Sequence, residues 1–488
     1  MLPEELARLG DRVRGVAAGY GLDFFETVFE LVDWEEMNTV AAYGGFPVRY
    51  PHWRFGMLYD QISKSYAWGL QKIYELVINN DPCYAYLLRG NGLVDQKLVM
   101  AHVYAHCDFF KNNLWFAPTN RRMVDELASH ATRVARHVEK QGATDVETFL
   151  DSCLSLENLV DIYAPYARRR SQRSEEEEAA RGVVRFTAKS YMDPFINPPE
   201  FLAEQRKRLE EERRKPPPFP ARPERDVLRF LMEHAPLRSW ERDILSMIRD
   251  EAYYFAPQGL TKIMNEGWAS YWHSTMMTND LLTDAEVVDY AERHAGTMGV
   301  QPGRVNPYKL GLELFRDIED RWNRGRFGKE YDECDDLEAR RRWDTGFMDG
   351  RRKIFEVRRI YNDVTFIDEF LTPDFCEEQK LFTYEFNPKS GRAELTGREF
   401  GEIKERLLRS LANGGQPILE VADANFRNRG ELVLRHSHDG QDLHVGYAQD
   451  ALPHLHRVWS RPVHLETTVE GRARRFSYDG TQAESTDL

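Results

Sequence analysis

The chain has 488 residues and a formal net charge of −14. At roughly 150 residues per domain this predicts about three domains, and the acidic balance excludes a general nucleic-acid binder, which needs an extended basic face. Hydrophobic residues at 42% and five scattered cysteines without a Cys-x-x-Cys pair predict a globular chain and exclude a disulfide framework, a zinc ribbon and a thioredoxin-type site.

The first residues, MLPEELARLGDRVRG, are amphipathic and charged, with no apolar run of signal-peptide length. No window approaches 18 uninterrupted apolar residues, so no membrane span is expected, and the odd cysteine count fits a cytoplasmic location. Apolar residues at three and four spacing predict helices over Glu4–Tyr20, Gly69–Ile78, Asp95–Phe110, Met123–Gln141 and Val146–Tyr163. Turn signals lie at Tyr43–Pro47, Asn79–Pro82 and Gly90–Gly92, and Tyr43–Phe55 reads as an ordered aromatic loop. From 168 to 225 the composition turns charged and Pro-rich, a linker or insertion with a solvated helix over Glu200–Lys215. Helical periodicity returns over Asp226–Glu233, Trp240–Tyr254, Leu260–Met277, Asp284–Gly296, Asn306–Trp322 and Asp335–Phe347. Beyond about residue 375, short strand patterns at Lys380–Phe386, Pro417–Val421, Glu431–Arg435 and Val463–Val469 alternate with helices at Arg398–Leu411 and Asp450–Trp459.

Several chemistries are absent by motif. There is no phosphate loop, no G-x-G-x-x-G turn, no G-x-S-x-G elbow and no Glu-x-x-His pair. What remains is His102 and His106, spaced i, i+4 on a predicted helix so that both imidazoles share one face. Asp95 lies about two turns earlier on that face, a carboxylate able to orient a ligand ring. A second helix carries Glu266, Ser270 and His273 within a narrow arc. Together these supply three or four N/O ligands for zinc or another divalent first-row metal; a buried Glu–His hydrogen-bond network in a helical core accounts for the same pattern.

The segment Asn265-Glu-Gly-Trp-Ala-Ser-Tyr271 resembles the Asn-Glu-Gly-Phe-Ala segment of gluzincin aminopeptidases. That resemblance implies His102, His106 and Glu266 as metal ligands. It also shows a departure, because the position after the first histidine, a glutamate base in gluzincins, is Val103. Asp95, Asp108, Tyr104, Tyr271 and His273 are the candidates for a proton acceptor, with none singled out.

The chain as a whole resembles the stage V sporulation protein R (SpoVR) family, which includes the YcgB-type proteins. The resemblance is carried by Tyr50-Pro-His-Trp-Arg-Phe-Gly56, Tyr74–Asn79, Ala85-Tyr-Leu87, His102–Asn113, Met264–His273, Asn306–Gly311 and Phe366–Leu371. It implies a part in spore cortex formation, or in cell-envelope, peptidoglycan and stress physiology, near a PrkA-type serine kinase. The expected architecture is mostly α: a helical zincin-like core in two halves, residues 1–167 and 226–374, separated by the 168–225 insertion, then a small α+β domain at 375–488. Two functions stay open. One is a zinc-dependent amide hydrolase acting on a peptidoglycan-related substrate. The other is a non-catalytic regulator or scaffold that keeps a structural metal or a degenerate site and binds a kinase or envelope enzymes.

Overall fold

The computed structural model describes residues 2–67, 75–167, 192, 197–214, 219–301, 303–387 and 391–488. In chain order its elements begin with α1 (Glu4–Gly19), β1 (Thr27–Val32), α2 (Trp34–Ala42), α3 (Trp53–Ala67), β2 (Glu75–Ile78), β3 (Cys83–Leu88), α4 (Leu93–Asn112), α5 (Met123–Gln141) and α6 (Ala143–Ser155). Then come α7 (Pro199–Arg214), α8 (Val227–His234), α9 (Ser239–Leu260), α10 (Lys262–Met276), α11 (Val287–Thr297), α12 (Pro307–Arg324), α13 (Lys329–Asp332), α14 (Leu337–Arg341), α15 (Gly350–Ile360), α16 (Asp363–Phe370) and α17 (Pro373–Glu378). The remainder is β4 (Thr383–Asn387), β5 (Arg392–Gly397), α18 (Phe400–Leu411), β6 (Leu419–Phe426), β7 (Glu431–His436), α19 (Val445–Trp459), β8 (Val463–Val469), β9 (Arg472–Tyr478) and β10 (Ala483–Asp487). The chain is thus mostly helical and ends in a small sheet, as its sequence predicts. Two compact units result: Met1–Thr148 with Asp250–Gln416, and Phe149–Arg249 with Pro417–Leu488.

In the first unit α4 is the central element. Apolar residues surround it rather than forming one stripe, the pattern of a helix enclosed on all sides, and every residue from Val99 to Phe110 is buried. Leu9, Val13 and Ala17 of α1 and Ile354 and Val357 of α15 join it in one hydrophobic cluster. Beside it lies a three-stranded sheet of order β1-β3-β2, with β1 parallel and β2 antiparallel to β3. Side chains alternate across a strand. Cys83, Ala85 and Leu87 of β3 therefore meet the α4 cluster, while Tyr86 and Leu88 join Met123 and Leu127 of α5 on the opposite face. Asn113 ends α4: its side chain accepts from Trp115 N and donates to the carbonyls of Arg358 and Tyr361.

Helices α10 and α12 cross at two facing glycines. A Cβ placed on Gly267 would lie 2.4 Å from the Gly311 backbone, and one on Gly311 would lie 2.1 Å from the Ile263 carbonyl oxygen. Only hydrogen at both positions permits this approach.

The second unit contains a five-stranded sheet of order β10-β9-β8-β7-β6. Its one parallel pair is β7 with β8, and α19 makes the crossover that a parallel pair requires. Leu452, Leu455, Val458 and Trp459 form the buried face of α19.

The structure departs from the sequence expectations at identifiable places. Residues 75–78 of the expected Gly69–Ile78 helix form strand β2, paired with β3, and residues 69–74 lie outside the described residues. Four residues, Glu75-Leu-Val-Ile, are too few to separate a period of 2 from one of 3.6. The expected Val146–Tyr163 helix stops at Ser155. Of Asp335–Phe347 only Leu337–Arg341 is helical, because Trp343 donates to the Gly325 carbonyl and Arg326 donates to the carbonyls of Arg341 and Trp343, pinning the following segment in an irregular path. Strands β1, β3, β5, β9 and β10 and helices α2, α15 and α16 were not anticipated, and Trp53 opens α3 inside the expected aromatic loop. Residues 168–191, 193–196 and 215–218 of the expected linker are outside the described residues; Pro199–Arg214 is the helix expected there.

Gly311→Ala is expected to destabilise the protein by about 3 kcal/mol or more, since a methyl group against backbone cannot be relieved by a rotamer change. The control is Gly15→Ala on α1, where an added Cβ meets nothing within 4 Å and the helix gains up to ~1 kcal/mol. Equal melting temperatures for the two variants would contradict the close crossing.

Candidate metal centre

Three side chains, His102 and His106 picked out by their spacing and Glu266 by the gluzincin resemblance, converge in the first unit. His102 and His106 lie one turn apart on α4, and each presents Nε2 to the same atom, Glu266 Oε2 of α10, at 3.5 Å. The three ligand atoms lie within 4.8 Å of one another. The imidazoles are buried and the carboxylate side chain is 18% exposed.

The far side of each ring is held. His106 Nδ1 lies 2.8 Å from Asn265 Oδ1. An amide oxygen only accepts, so His106 carries its proton on Nδ1 and turns the Nε2 lone pair inward. His102 Nδ1 lies 2.7 Å from His273 Nδ1, and His273 Nε2 lies 3.2 Å from His294 Nδ1. Burial pushes His273 well below the usual imidazole range, as it does His294 to a lesser degree, so both are neutral rings. The chain is satisfied with protons on His102 Nδ1 and His273 Nε2, the tautomer that leaves His102 Nε2 as a lone pair, and equally with protons on His273 Nδ1 and His294 Nδ1, which puts the His102 proton on Nε2.

This arrangement places a carboxylate oxygen opposite two imidazole nitrogens. Burial pushes the Glu266 carboxyl up, but the facing His102 and His106 rings outweigh it and hold it below the usual carboxylate range. Glu266 is therefore an anion, and its buried Oε2 faces both ring nitrogens only at 3.5 Å, too long for a strong hydrogen bond. A cation held between them would satisfy all three atoms. Two imidazole nitrogens and one carboxylate oxygen are a first-row metal donor set, and the 3.5 Å separations match the edge of a tetrahedron with bonds of about 2.0–2.1 Å, roughly 3.3–3.4 Å. The residues fit a divalent ion.

The other candidates sit elsewhere. Asp95 bonds the Gly92 N–H and pairs with Arg293. Tyr104, two residues beyond His102, packs on Phe24 and Phe29, and burial pushes its phenol up. Tyr271 donates to Glu319. Asp108 accepts from Asp23 N at 2.8 Å and Trp268 Nε1 at 2.9 Å, with Arg358 Nε at 3.3 Å; burial raises it to about 6. Only His273 reaches the cluster, behind His102. Val103 is fully buried in the core.

Sequence reasoning missed three parts of the site. Tyr308, on the first turn of α12, has its ring centroid 6.2 Å from that of His102. His294 ends the imidazole chain. Asp363 caps α10 from a distant part of the chain, accepting from Ile263 N at 2.8 Å and Met264 N at 2.9 Å. None has a short-range signal; Asn265, by contrast, adjoins Glu266 in the motif itself.

Helices α4, α10 and α12 thus define a helical protein with a buried His/His/Glu cluster, and comparison with known proteins gives its family. The model described as "SpoVR like protein" matches residues 1–416, and that described as "SpoVR-like C-terminal domain" matches 417–470. The chain belongs to the SpoVR family. The boundary at 416/417 coincides with a division between the two compact units. A protein of Escherichia coli (strain K12) described as "Uncharacterized protein YcgB" is 31% identical over 485 residues, covering 93% of this chain and 90% of that protein. No solved structure matches the chain significantly. Among the described residues, no helix is long and apolar enough to cross a membrane.

Asp363 yields a prediction about pH. Burial raises its carboxyl to about 7, against the opposing pull of the Ile263, Met264 and Lys262 N–H groups. The unfolded value is about 4, so between the two the native chain binds more protons than the unfolded chain. This group's contribution to stability is full below about pH 4 and is lost as the pH rises through about 7. Asp108 acts in the same direction and is common to both proteins. Asp363→Asn is expected to flatten the decline in melting temperature between about pH 4 and pH 8; parallel profiles for the two proteins would refute the assignment.

Proposed function

We propose that the protein is a metal-binding member of the SpoVR family in which His102, His106 and Glu266 hold one zinc or similar divalent ion. The observation that carries this reading is the anionic, buried Glu266 Oε2 facing two imidazole nitrogens only at 3.5 Å, too long for a strong hydrogen bond. Asn265 and His273 orient the rings, the role such outer partners play in metal sites, where their loss costs about 10- to 100-fold in affinity. A bound ion would supply Lewis acidity and acidify water, the chemistry of amide hydrolysis. The pairing of a two-histidine helix with a glutamate helix supports a zincin-like core, and family membership supports a sporulation-related role.

The substrate class we favour is an amide of peptidoglycan stem peptides, with the protein acting in the cytoplasm alongside a PrkA-type serine kinase. A specific observation favours a second reading. Valine fills the position of the expected base, and none of Asp95, Asp108, Tyr104 and Tyr271 is drawn to the cluster. A scaffold or regulator with a structural ion needs no such base.

The test is metal content by mass spectrometry on untagged protein. About one ion per chain is expected in the wild type, with loss in His106→Ala and in Glu266→Ala. Full stoichiometry in either variant, or none in the wild type, would overturn the ligand assignment. Given a bound ion, release of stem peptide fragments selects the hydrolase, and turnover-free binding selects the regulator.

A further inference from the structure

A cavity of about 460 Å³ opens where the start of α12, the Gln379–Tyr384 segment and α18 come together. Its volume lies within the range of small-molecule sites, roughly 300–1,000 Å³. Arg304, Lys309, Lys380 and Arg406 line it, and none of its described lining residues is acidic. That is unexpected in a chain of net charge −14. No described carboxylate forms an ion pair with any of the four, although ion pairs are frequent elsewhere in this unit. Four like charges around one concavity repel each other and concentrate a positive potential inside it.

The floor is apolar and fixed. Leu310, Ile403 and Leu407 belong to the main hydrophobic cluster, and Leu381 packs against it. The wall is pinned as well. Asn306 accepts from Tyr308 N and Lys309 N and donates to the carbonyls of Thr297 and Gly299. Gly303, at φ +77°, lets its loop rest on the β4–β5 hairpin, with an added Cβ only 3.4 Å from Ala393 Cβ and 3.5 Å from Tyr384 Cβ. Lys380 itself stands in the left-handed region at φ 54°, a conformation a lysine adopts only where the surroundings impose it. The first turn of α12, an 18-residue helix, carries no acidic side chain, so its positive end adds to the field.

We propose that this cavity binds a small anionic amphiphile: a phosphate or carboxylate head held by Arg304, Lys309, Lys380 and Arg406, and an apolar body on Leu310, Leu381, Ile403 and Leu407. The assignment is independent of the metal reading, although the two sites share the first turn of α12, where Tyr308 faces His102 and Lys309 lines the cavity.

The test is calorimetric titration of the full chain with octyl phosphate, octanoate, octanol and inorganic phosphate. The expected result is saturable binding of octyl phosphate or octanoate at least about tenfold tighter than of octanol or inorganic phosphate, weakening with salt. The tighter of the two amphiphiles identifies the head group. Arg406→Glu and Lys309→Glu are each expected to weaken that binding by about tenfold or more. Arg409→Glu, outside the cavity and paired in the native chain with Glu405, is expected to leave it unchanged. Unaltered melting temperatures show that the variants fold, and Arg406→Gln and Lys309→Gln replace any that do not. Absence of saturable amphiphile binding overturns the proposal. So does inorganic phosphate binding as tightly as the amphiphiles, or affinity that does not change in the Arg406 and Lys309 variants.

Discussion

The backbone contact between α10 and α12 is the constraint on which the first unit depends. Two glycines, Gly267 and Gly311, bring the helices so close that a single methyl group would collide with main-chain atoms. Gly267 directly follows Glu266, and Tyr308 lies three residues before Gly311. The closeness of the crossing therefore sets where the carboxylate and the phenol stand relative to α4. Each helix is then fixed in register by a side chain at its start: Asp363 holds the first N–H groups of α10, and Asn306 holds those of α12. Rigid elements of this kind place functional atoms more precisely than loops do.

Around that crossing the polar groups of α4 are almost all buried and almost all answered. Asp108 is met by Asp23 N, Trp268 and Arg358, and Lys97 by Glu286 and the Leu281 carbonyl. His102 and His106 are met by His273 and Asn265. A buried polar group without a partner costs more than its bond contributes when formed. These pairs therefore act against alternative registers of α4 on α10 rather than as large net sources of stability. Burial still raises Asp108 to about 6 despite Arg358. Desolvation wins over the ion pair there, whereas at Glu266 the two imidazoles win over desolvation.

What the sequence makes legible is local. His102 and His106 stand out because a helix turns 3.6 residues at a time, and Glu266 because it sits in a short motif on a second periodic segment. The mostly helical class follows from the same periodicity. The small sheet beside α4 is hidden because β1, β2 and β3 span four to six residues each, too short for their period to be read. Asp363, Tyr308 and His294 are hidden for another reason. Each acts across a long separation in sequence, and a lone Asp, Tyr or His in a helix carries no sign of its distant partner. The glycine pair is legible only in part. Gly267 is visible within the Asn-Glu-Gly-Trp segment, but its purpose needs Gly311 opposite.

The charge of the site can be carried one step further. A divalent ion held as proposed by His102, His106 and Glu266 would keep one unit of positive charge uncompensated, and none of the neighbouring acidic candidates stands beside the cluster to absorb it. Asp95 is spent on Arg293 and Tyr271 on Glu319. Such a centre would favour an anionic partner over a neutral one, because in a buried setting a residual charge is weakly screened. The proposed amphiphile site, to which Lys309 of the same first turn contributes, has the same sign, set by Arg304, Lys309, Lys380 and Arg406. The proposed ion and the proposed amphiphile site thus call for the same kind of partner, a molecule carrying negative charge.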